Sequence, residues 1–193
     1  MSAVPNQRDW AKGELATATT VNDNLRNPIT FYRQRPIWLG QKITNSALGS
    51  STNYADLTWA LGESFIDSEN MNAAGTTYIT IVRPGLYALE MLAIFEANVN
   101  GVRRCRIGVT RYATGVFSTI YDHGQASSGS ASYLHSGMLN EETTVQAHDP
   151  GTYLATGDKV FFGVGQNSGS TLNVTGTAAG GNTWACARWV ASS

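Results

Sequence analysis

Three histidines are the side chains of this sequence best suited to proton transfer near neutral pH. Two of them stand beside an aspartate, in the pairs Asp122-His123 and His148-Asp149, and the third is His135. A hydrolase would also need a nucleophile that the fold brings to such a pair. The candidate nucleophiles are Ser127, Ser128, Ser130, Ser132 and Ser136. None lies in a Gly-x-Ser-x-Gly motif, so we expect loop histidines at the surface and no enzymatic activity.

Cofactor and metal chemistry has little support in the sequence. Asp149 and Asp158 flank a turn-rich stretch in which oxygen ligands for Ca²⁺ could gather, but the dense Asp/Asn/Gly loop of a specific calcium site is missing. The glycine-rich stretch 177–182 lacks the lysine and the following helix of a phosphate loop. We expect no cofactor, and the sequence leaves a calcium site open.

Two cysteines, Cys105 and Cys186, lie far apart in the chain and do not have metal-ligand spacing. Free cysteines are among the most buried residue types, so two separate buried thiols are the ordinary expectation. The sequence leaves open whether they pair.

Size and charge restrict the class of protein. The chain has 193 residues, 14% charged side chains and a formal net charge of -1, without a run of Lys or Arg. This length suits one domain of about 150 residues with an appendage. The charge balance argues against nucleic acid as a partner. A polar N-terminus and the lack of 18 consecutive apolar residues predict neither a transport signal nor a membrane span.

Residues 1–35 differ from the rest and are predicted to form an N-terminal arm with a short amphipathic helix. Apolar side chains recur at helical intervals, and Pro28 should end or bend the helix. A helix this short needs a partner surface for its apolar stripe, so we interpret the segment as an anchor or trimerisation element. The anchor residues are Trp10, Val21, Leu25, Ile29 and Tyr32.

Residues 36–193 are predicted to form one all-β domain. Short runs rich in Val, Ile, Thr and aromatic residues alternate with Gly, Ser, Asn and Pro clusters. The candidate strands are 37–43, 54–60, 64–69, 77–82, 86–95, 104–112, 143–149, 159–166, 171–176 and 183–190. About ten strands without an intervening helix predict a two-sheet antiparallel jelly-roll sandwich. Residues 125–137 are interpreted as a solvated loop.

The strand 86–95 is apolar on both faces. One face carries Tyr87, Leu89, Met91 and Phe95, and the other carries Leu86, Ala88, Leu92 and Ile94, interrupted by Glu90. A sandwich strand normally shows one polar face to water. We therefore expect a second covering surface, which is another copy of the chain or, alternatively, the N-terminal segment or loops of the same chain. Pro84-Gly85 before it is interpreted as a type II turn in a hairpin.

Three motifs in order, "TTYITIVRPGLYAL", "YLATGDKVFFGV" and "TWACARWV", resemble the complement-head/tumour-necrosis-factor jelly-roll superfamily. The resemblance implies a ten-strand jelly roll of which three copies pack around an axis. It also implies that Gly157 and Asp158 form the turn before a strand. The residues it assigns to the core or to the contact between copies, together with their neighbours on the same strands, are Tyr87, Leu89, Met91, Phe95, Phe162 and Trp184.

A second motif, "WAKGELATATTVNDNLRN", resembles the opening of small virion proteins of tailed bacteriophages that infect actinobacteria and their relatives. This resemblance rests on Trp10, Gly13, Glu14, Asn22, Leu25 and Arg26. It implies a non-enzymatic structural protein of the virion that is assembled in the host cytoplasm. The N-terminal segment would then dock the domain to other virion proteins.

Aromatic side chains are predicted in or beside the Gly/Ser-rich loops, a composition typical of adaptable recognition. They are Tyr112, Phe117, Tyr121 and Tyr133. They could contact a host-surface glycan or simply pin the loops to the sandwich. We expect a homotrimeric minor tail or fibre-type protein. The alternatives are a capsid decoration protein or head fibre at threefold positions, and a carbohydrate-binding module or weak polysaccharide hydrolase.

Overall fold

The computed structural model describes residues 17, 19, 35–73, 75–98, 100–123, 143–179 and 182–192. The predicted anchor residues and Tyr133 lie outside these ranges, so the N-terminal helix and the boundary at residue 36 stay predictions. None of the helices in the described ranges has the length and the apolar character needed to cross a membrane.

The described chain forms two antiparallel sheets that face each other. The strands are β1 Ile37–Gln41, β2 Ser46–Leu48, β3 Ser51–Asp56, β4 Ser64–Asp67, β5 Tyr78–Thr80, β6 Gly85–Phe95, β7 Arg103–Thr110, β8 Phe117–His123, β9 Thr143–Leu154, β10 Lys159–Gln166, β11 Leu172–Val174 and β12 Trp184–Ala191, with 3-10 turns at Leu61–Glu63 and Thr177–Ala179. Sheet A has the order β2-β11-β6-β12-β1-β4, and β9 pairs with the other side of β6. Sheet B has the order β3-β10-β7-β8, and β5 also pairs with β10. The predicted two-sheet jelly roll is confirmed.

The core lies between the inner faces of the two sheets. Trp38 of sheet A stacks on Phe162 of sheet B with ring centroids 5.5 Å apart, and Trp59 meets the Trp38 ring edge to face at 5.1 Å. Gly40 makes room for this cluster, because a Cβ atom there would lie 2.5 Å from the Trp38 ring. This cluster packs the inner faces of the two sheets against each other, so the outer face of each sheet points away from the core.

The Pro84-Gly85 turn does not form the predicted hairpin. β5 pairs with β10 in sheet B, whereas β6 belongs to sheet A, so the segment between them crosses from one sheet to the other. The Trp189 indole donates a hydrogen bond to the Pro84 carbonyl, and Gly85 has a φ of 151°. A Cβ atom at Gly85 would lie 2.2 Å from Trp189 Nε1, so glycine is required by space as well as by conformation.

Two strands were missing from the sequence prediction, β2 and β8. β8 contains Phe117 and Tyr121, which were predicted to lie in or beside loops. It pairs with β7 through a bulge between Ile107 and Gly108, which interrupts the regular alternation along this pair. Phe117 therefore projects from the outer face of sheet B, where the register sets it opposite Thr110.

Candidate assembly surface

The outer face of sheet A carries apolar side chains across five adjacent strands, β4, β1, β12, β6 and β9. The strand register places them side by side: Leu39 pairs with both Ile66 and Cys186, and Leu92 pairs with Trp184. These side chains are half-buried or exposed in the single chain: Ile37, Leu39, Phe65, Ile66, Leu86, Leu92, Ile94, Tyr153, Trp184 and Val190. We call this set the outer face of sheet A. It is an extended, largely apolar surface without a cover among the described residues of the chain.

A β-bulge shapes one end of this face. The register between β1 and β4 shifts between Leu39 and Gly40, and the extra residue of the bulge, Phe65, is 74% exposed. Phe65 stands at a shallow pocket of about 300 Å³ that is also lined by Leu39, Gln41, Asn182 and Trp184. The Gln41 amide donates to the Asn182 side-chain oxygen. The pocket is lined by uncharged side chains, which suits an apolar or neutral group from a partner.

One polar row crosses the middle of the face. His148, Glu90 and Cys186 lie opposite one another on β9, β6 and β12, and His148 Nε2 is 3.7 Å from Glu90 Oε1. Burial, and secondarily the charge of Glu90, raises the pKa of the Cys186 thiol to about 11. The thiol is therefore protonated at neutral pH and is a poor nucleophile. His148 and Glu90 therefore form a polar contact on this face.

The six residues predicted for the core or for the contact between copies fall into two groups: five lie in the core, and one lies on the outer face of sheet A. Tyr87, Leu89, Met91, Phe95 and Phe162 are at most 1% exposed and belong to the core of the single chain. Trp184 lies on the outer face of sheet A. The inward side of β6 is thus the core side, and a partner can reach Leu86, Leu92 and Ile94 but not Tyr87 or Leu89.

The two cysteines belong to different sheets. Cys105 is fully buried on the inner face of sheet B, whereas Cys186 is half-buried on the outer face of sheet A. Neither forms a disulfide bond, so the question that the sequence left open is answered against pairing of Cys105 with Cys186.

The carboxylate of Asp158, one of the two candidate calcium ligands, already accepts hydrogen bonds from other groups of the chain. Its Oδ1 accepts from the backbone N–H of Tyr112 at 2.9 Å, and its Oδ2 accepts from the N–H of Ala155 at 2.9 Å and from Arg111 Nη1 at 2.7 Å. A guanidinium at this distance repels a cation. Among the described residues, no group of three or more His, Cys, Asp or Glu side chains is placed to hold a metal ion.

This carboxylate fixes the loop between β7 and β8, which presents Tyr112 with 76% of its surface exposed. Burial alone raises the pKa of Asp158, but the N–H groups of Ala155 and Tyr112 and the Arg111 guanidinium outweigh it and hold the pKa below its usual value. Tyr112 is therefore displayed on a loop that hydrogen bonds tie to Asp158. Phe117 lies at the start of β8 on sheet B, and Tyr121 lies further along that strand.

Asp158→Asn is expected to lower the free energy of unfolding by about 2–3 kcal/mol at pH 7, because a charged acceptor of three hydrogen bonds is lost. A depressed carboxyl pKa contributes stability that is complete above the unfolded value of about 3.9 and is lost as pH falls through the lower folded value. The difference between the variant and the original chain should thus shrink at pH 3. Urea unfolding at pH 7 and pH 3 measures it, with Tyr112→Phe, which keeps the backbone donor, as the control. An equal loss of unfolding free energy at both pH values would contradict the stabilising role of the ionised Asp158 carboxylate.

Comparison with known proteins gives structural likenesses only. No protein-family model matches the sequence, and no curated protein sequence matches it. Murine APRIL is similar with a TM-score of 0.53 and 9% identity, over 81% of this chain and 99% of that chain. Eiger TNF from S. frugiperda has a TM-score of 0.52 and 9% identity, over 82% and 96% of the two chains. The globular domain of zebrafish complement 1qA protein has a TM-score of 0.46 and 14% identity, over 82% and 100%.

The first two likenesses extend over nearly the whole of the matched domains, so they concern the complete sandwich and not a part of it. Together with the two observed sheets, they show that this chain has a jelly-roll fold like that of these two proteins. The fold that the three sequence motifs implied is confirmed. At these identities the likeness does not extend to partners or activity.

Proposed function

We propose that this chain is a non-enzymatic structural protein that assembles as a homotrimer through the outer face of sheet A and is displayed on a bacteriophage particle. The observation that carries the assembly is the set of exposed apolar side chains on that face, with Phe65 74%, Tyr153 46%, Ile66 40% and Val190 40% exposed. Complete burial of a Leu-sized side chain is worth about 1.5–3 kcal/mol, so covering this face would yield a large favourable free energy.

Another copy of the chain is the partner that the surface suits best. The face combines apolar side chains with a polar row through its middle, and such a mixture is found at interfaces between protein subunits. Three copies are supported by the resemblance to the complement-head/tumour-necrosis-factor superfamily, whose members pack around a threefold axis. In a cyclic trimer each copy offers two different parts of its surface, and the ring closes without leaving an open edge.

The placement on a phage particle is supported by the N-terminal motif that contains Trp10, Leu25 and Arg26. In this proposal the segment 1–35 joins the domain to other virion proteins, and the particle is assembled in the host cytoplasm. We favour a minor tail or fibre-type protein that contacts the host surface. The exposed Tyr112, on a loop tied to Asp158 by hydrogen bonds, supports such a contact. The alternative placement is a capsid decoration protein or head fibre at threefold positions.

Sedimentation equilibrium at micromolar concentration tests the assembly, with a mass three times that of the 20.7 kDa chain as the expected result. A stable monomer would overturn the proposal. Deletion of residues 1–33 should leave a folded trimer that no longer joins particles, and retained incorporation would overturn the anchor assignment. Immunogold labelling of purified particles distinguishes tail from capsid placement.

A further inference from the structure

The chain enters the described domain at one end of the outer face of sheet A. The Pro36 carbonyl accepts a hydrogen bond from the backbone N–H of Trp189 at 2.9 Å, and the next residue, Ile37, begins β1 opposite Arg188 of β12. Arg35 therefore lies beside the end of β12. The part of the chain that precedes Arg35 starts from this end of the face.

Apolar side chains lie at the same end of the face, on four adjacent strands. Tyr153 of β9 pairs with Leu86 of β6, β12 lies on the other side of β6, and β1 lies next to β12. Val190 of β12 is 40% exposed and Tyr153 is 46% exposed, whereas Ile37 of β1 and Leu86 are half-buried in the single chain. We call these four residues the entry patch. It is the part of the outer face of sheet A that lies beside the entry of the chain.

The segment before Arg35 brings apolar side chains of its own. Val21, Leu25, Ile29 and Tyr32 recur at intervals of three and four residues, and this stripe is expected to need a partner surface. The entry patch spans about 14 Å from β1 to β9, because adjacent strands are about 4.8 Å apart. Val21 is fourteen residues before Arg35, and even a helix of that length measures about 21 Å. The stripe is therefore long enough to cross the whole patch.

Attachment at Arg35 favours this segment over a separate protein as the cover of the patch. A group joined to its site by a short stretch of chain meets that site at an effective concentration in the millimolar range. A separate molecule with equal affinity must reach the same concentration in solution. The segment for which we expect a partner surface and the patch that no described residue covers are thus neighbours in the same molecule.

We propose that the apolar stripe of residues 21–32 packs on the entry patch of the same chain. The inference goes beyond the proposed function, because it holds for a single chain whether or not three copies assemble. The outer face of sheet A then has two parts: the segment covers the entry patch, and the part around Leu92, Trp184 and Phe65 is left for sister copies. Trp10 and the residues around it stay available to join other virion proteins.

Limited proteolysis of the full chain by trypsin, read by mass spectrometry, tests the inference through cleavage after Arg26. This cleavage should be at least about tenfold slower than in a synthetic peptide of residues 17–34, because a docked segment is cut only while it is detached. Tyr153→Asp and Val190→Asp should each speed it about tenfold, since each removes one apolar contact from the patch. Val116→Asp is the matched control, because Val116 is 61% exposed on the loop between β7 and β8.

Two further variants separate the possible partners of the segment. Val21→Asp should speed the cleavage like the patch variants, whereas Asn22→Asp, which adds the same charge at the next position, should not. Phe65→Asp is expected to weaken assembly and should leave the cleavage rate unchanged, because Phe65 is not part of the entry patch. If Phe65→Asp speeds the cleavage as much as the patch variants do, a sister copy holds the segment and the inference is overturned.

Circular dichroism shows which variants are folded, and Val21→Asp, which lies outside the sandwich, keeps the test decisive if a patch variant does not fold. Cleavage in the original chain that is as fast as in the peptide overturns the inference, and so do equal rates in the patch variants and in Val116→Asp. Sedimentation of the same samples separates the two proposals. A monomer with a protected Arg26 contradicts the trimer only, and a trimer with an unprotected Arg26 contradicts this inference only.

Discussion

Leu92→Asp is expected to yield a folded monomer in place of the proposed trimer. Leu92 lies in the middle of the outer face of sheet A, opposite Trp184 on β12 and Gln146 on β9. The change removes about 1.5–3 kcal/mol of apolar burial per copy and adds the cost of desolvating a carboxylate. Since the change occurs three times in a trimer, we expect the association constant to fall by roughly a thousandfold or more.

Sedimentation velocity over a range of concentrations measures this effect. Phe65→Asp provides a second variant with less risk to folding, because Phe65 is 74% exposed in the single chain. Val116→Asp is the matched control, since Val116 is 61% exposed but lies on the loop between β7 and β8, away from sheet A. If Leu92→Asp and Phe65→Asp both assemble like the original chain, the outer face of sheet A is not the interface.

Because both faces of β6 are apolar, the sequence predicts a covering surface on each side of this strand; the core is one of them, and the second stays a prediction. It did not reveal which face is the core. That choice depends on the neighbouring strands: opposite Leu89 and Met91, β12 places Ala187 and Ala185, whose small side chains leave room for the larger ones of β6. The pairing of strands that are distant in the sequence decides which face of β6 is buried, and the residue pattern of a single strand does not reveal it.

The errors of the sequence prediction have physical causes in bulges and in sheet crossing. Two neighbouring apolar residues, Phe65 and Ile66, both point outward because a bulge shifts the register of β4, and such a bulge has no signature in the local sequence. Pro84-Gly85 has the composition of a hairpin turn, yet β5 and β6 enter different sheets. Turn chemistry fixes the local dihedral angles, whereas the pairing partner is fixed by contacts with β9, β10 and β12.

A buried ion pair, which the sequence pattern did not single out, lies next in the chain to two residues that line the pocket at Phe65. Lys42 Nζ lies 2.7 Å from Glu63 Oε2, and both side chains are almost fully buried. Lys42 also donates to the carbonyl of Thr58. Lys42 directly follows β1, and Glu63 directly precedes β4, so the pair joins the two strands that carry Gln41 and Phe65.

Glu63→Gln is expected to destabilise the chain by about 3–5 kcal/mol, because it leaves the Lys42 ammonium buried without its counter-charge. Burial alone raises the pKa of Glu63, but hydrogen bonds from Lys42 and from the N–H groups of Ala60 and Ile43 outweigh it and keep the pKa below its usual value. The stability that the carboxylate contributes is therefore complete above the unfolded value of about 4.3 and is lost as pH falls through the folded value.

Urea unfolding at one fixed protein concentration measures the loss, since assembly adds to the apparent stability. The double variant Lys42→Met/Glu63→Gln should recover part of it, because no unpaired charge then remains in the core. A loss below about 1 kcal/mol for Glu63→Gln would contradict a buried, uncompensated ammonium. Because the pair holds β1 against β4, the single variant should also weaken assembly, whereas Asp158→Asn, which acts at the loop between β7 and β8, should not. If this contrast is observed, assembly depends on the position of Phe65 and not on stability in general.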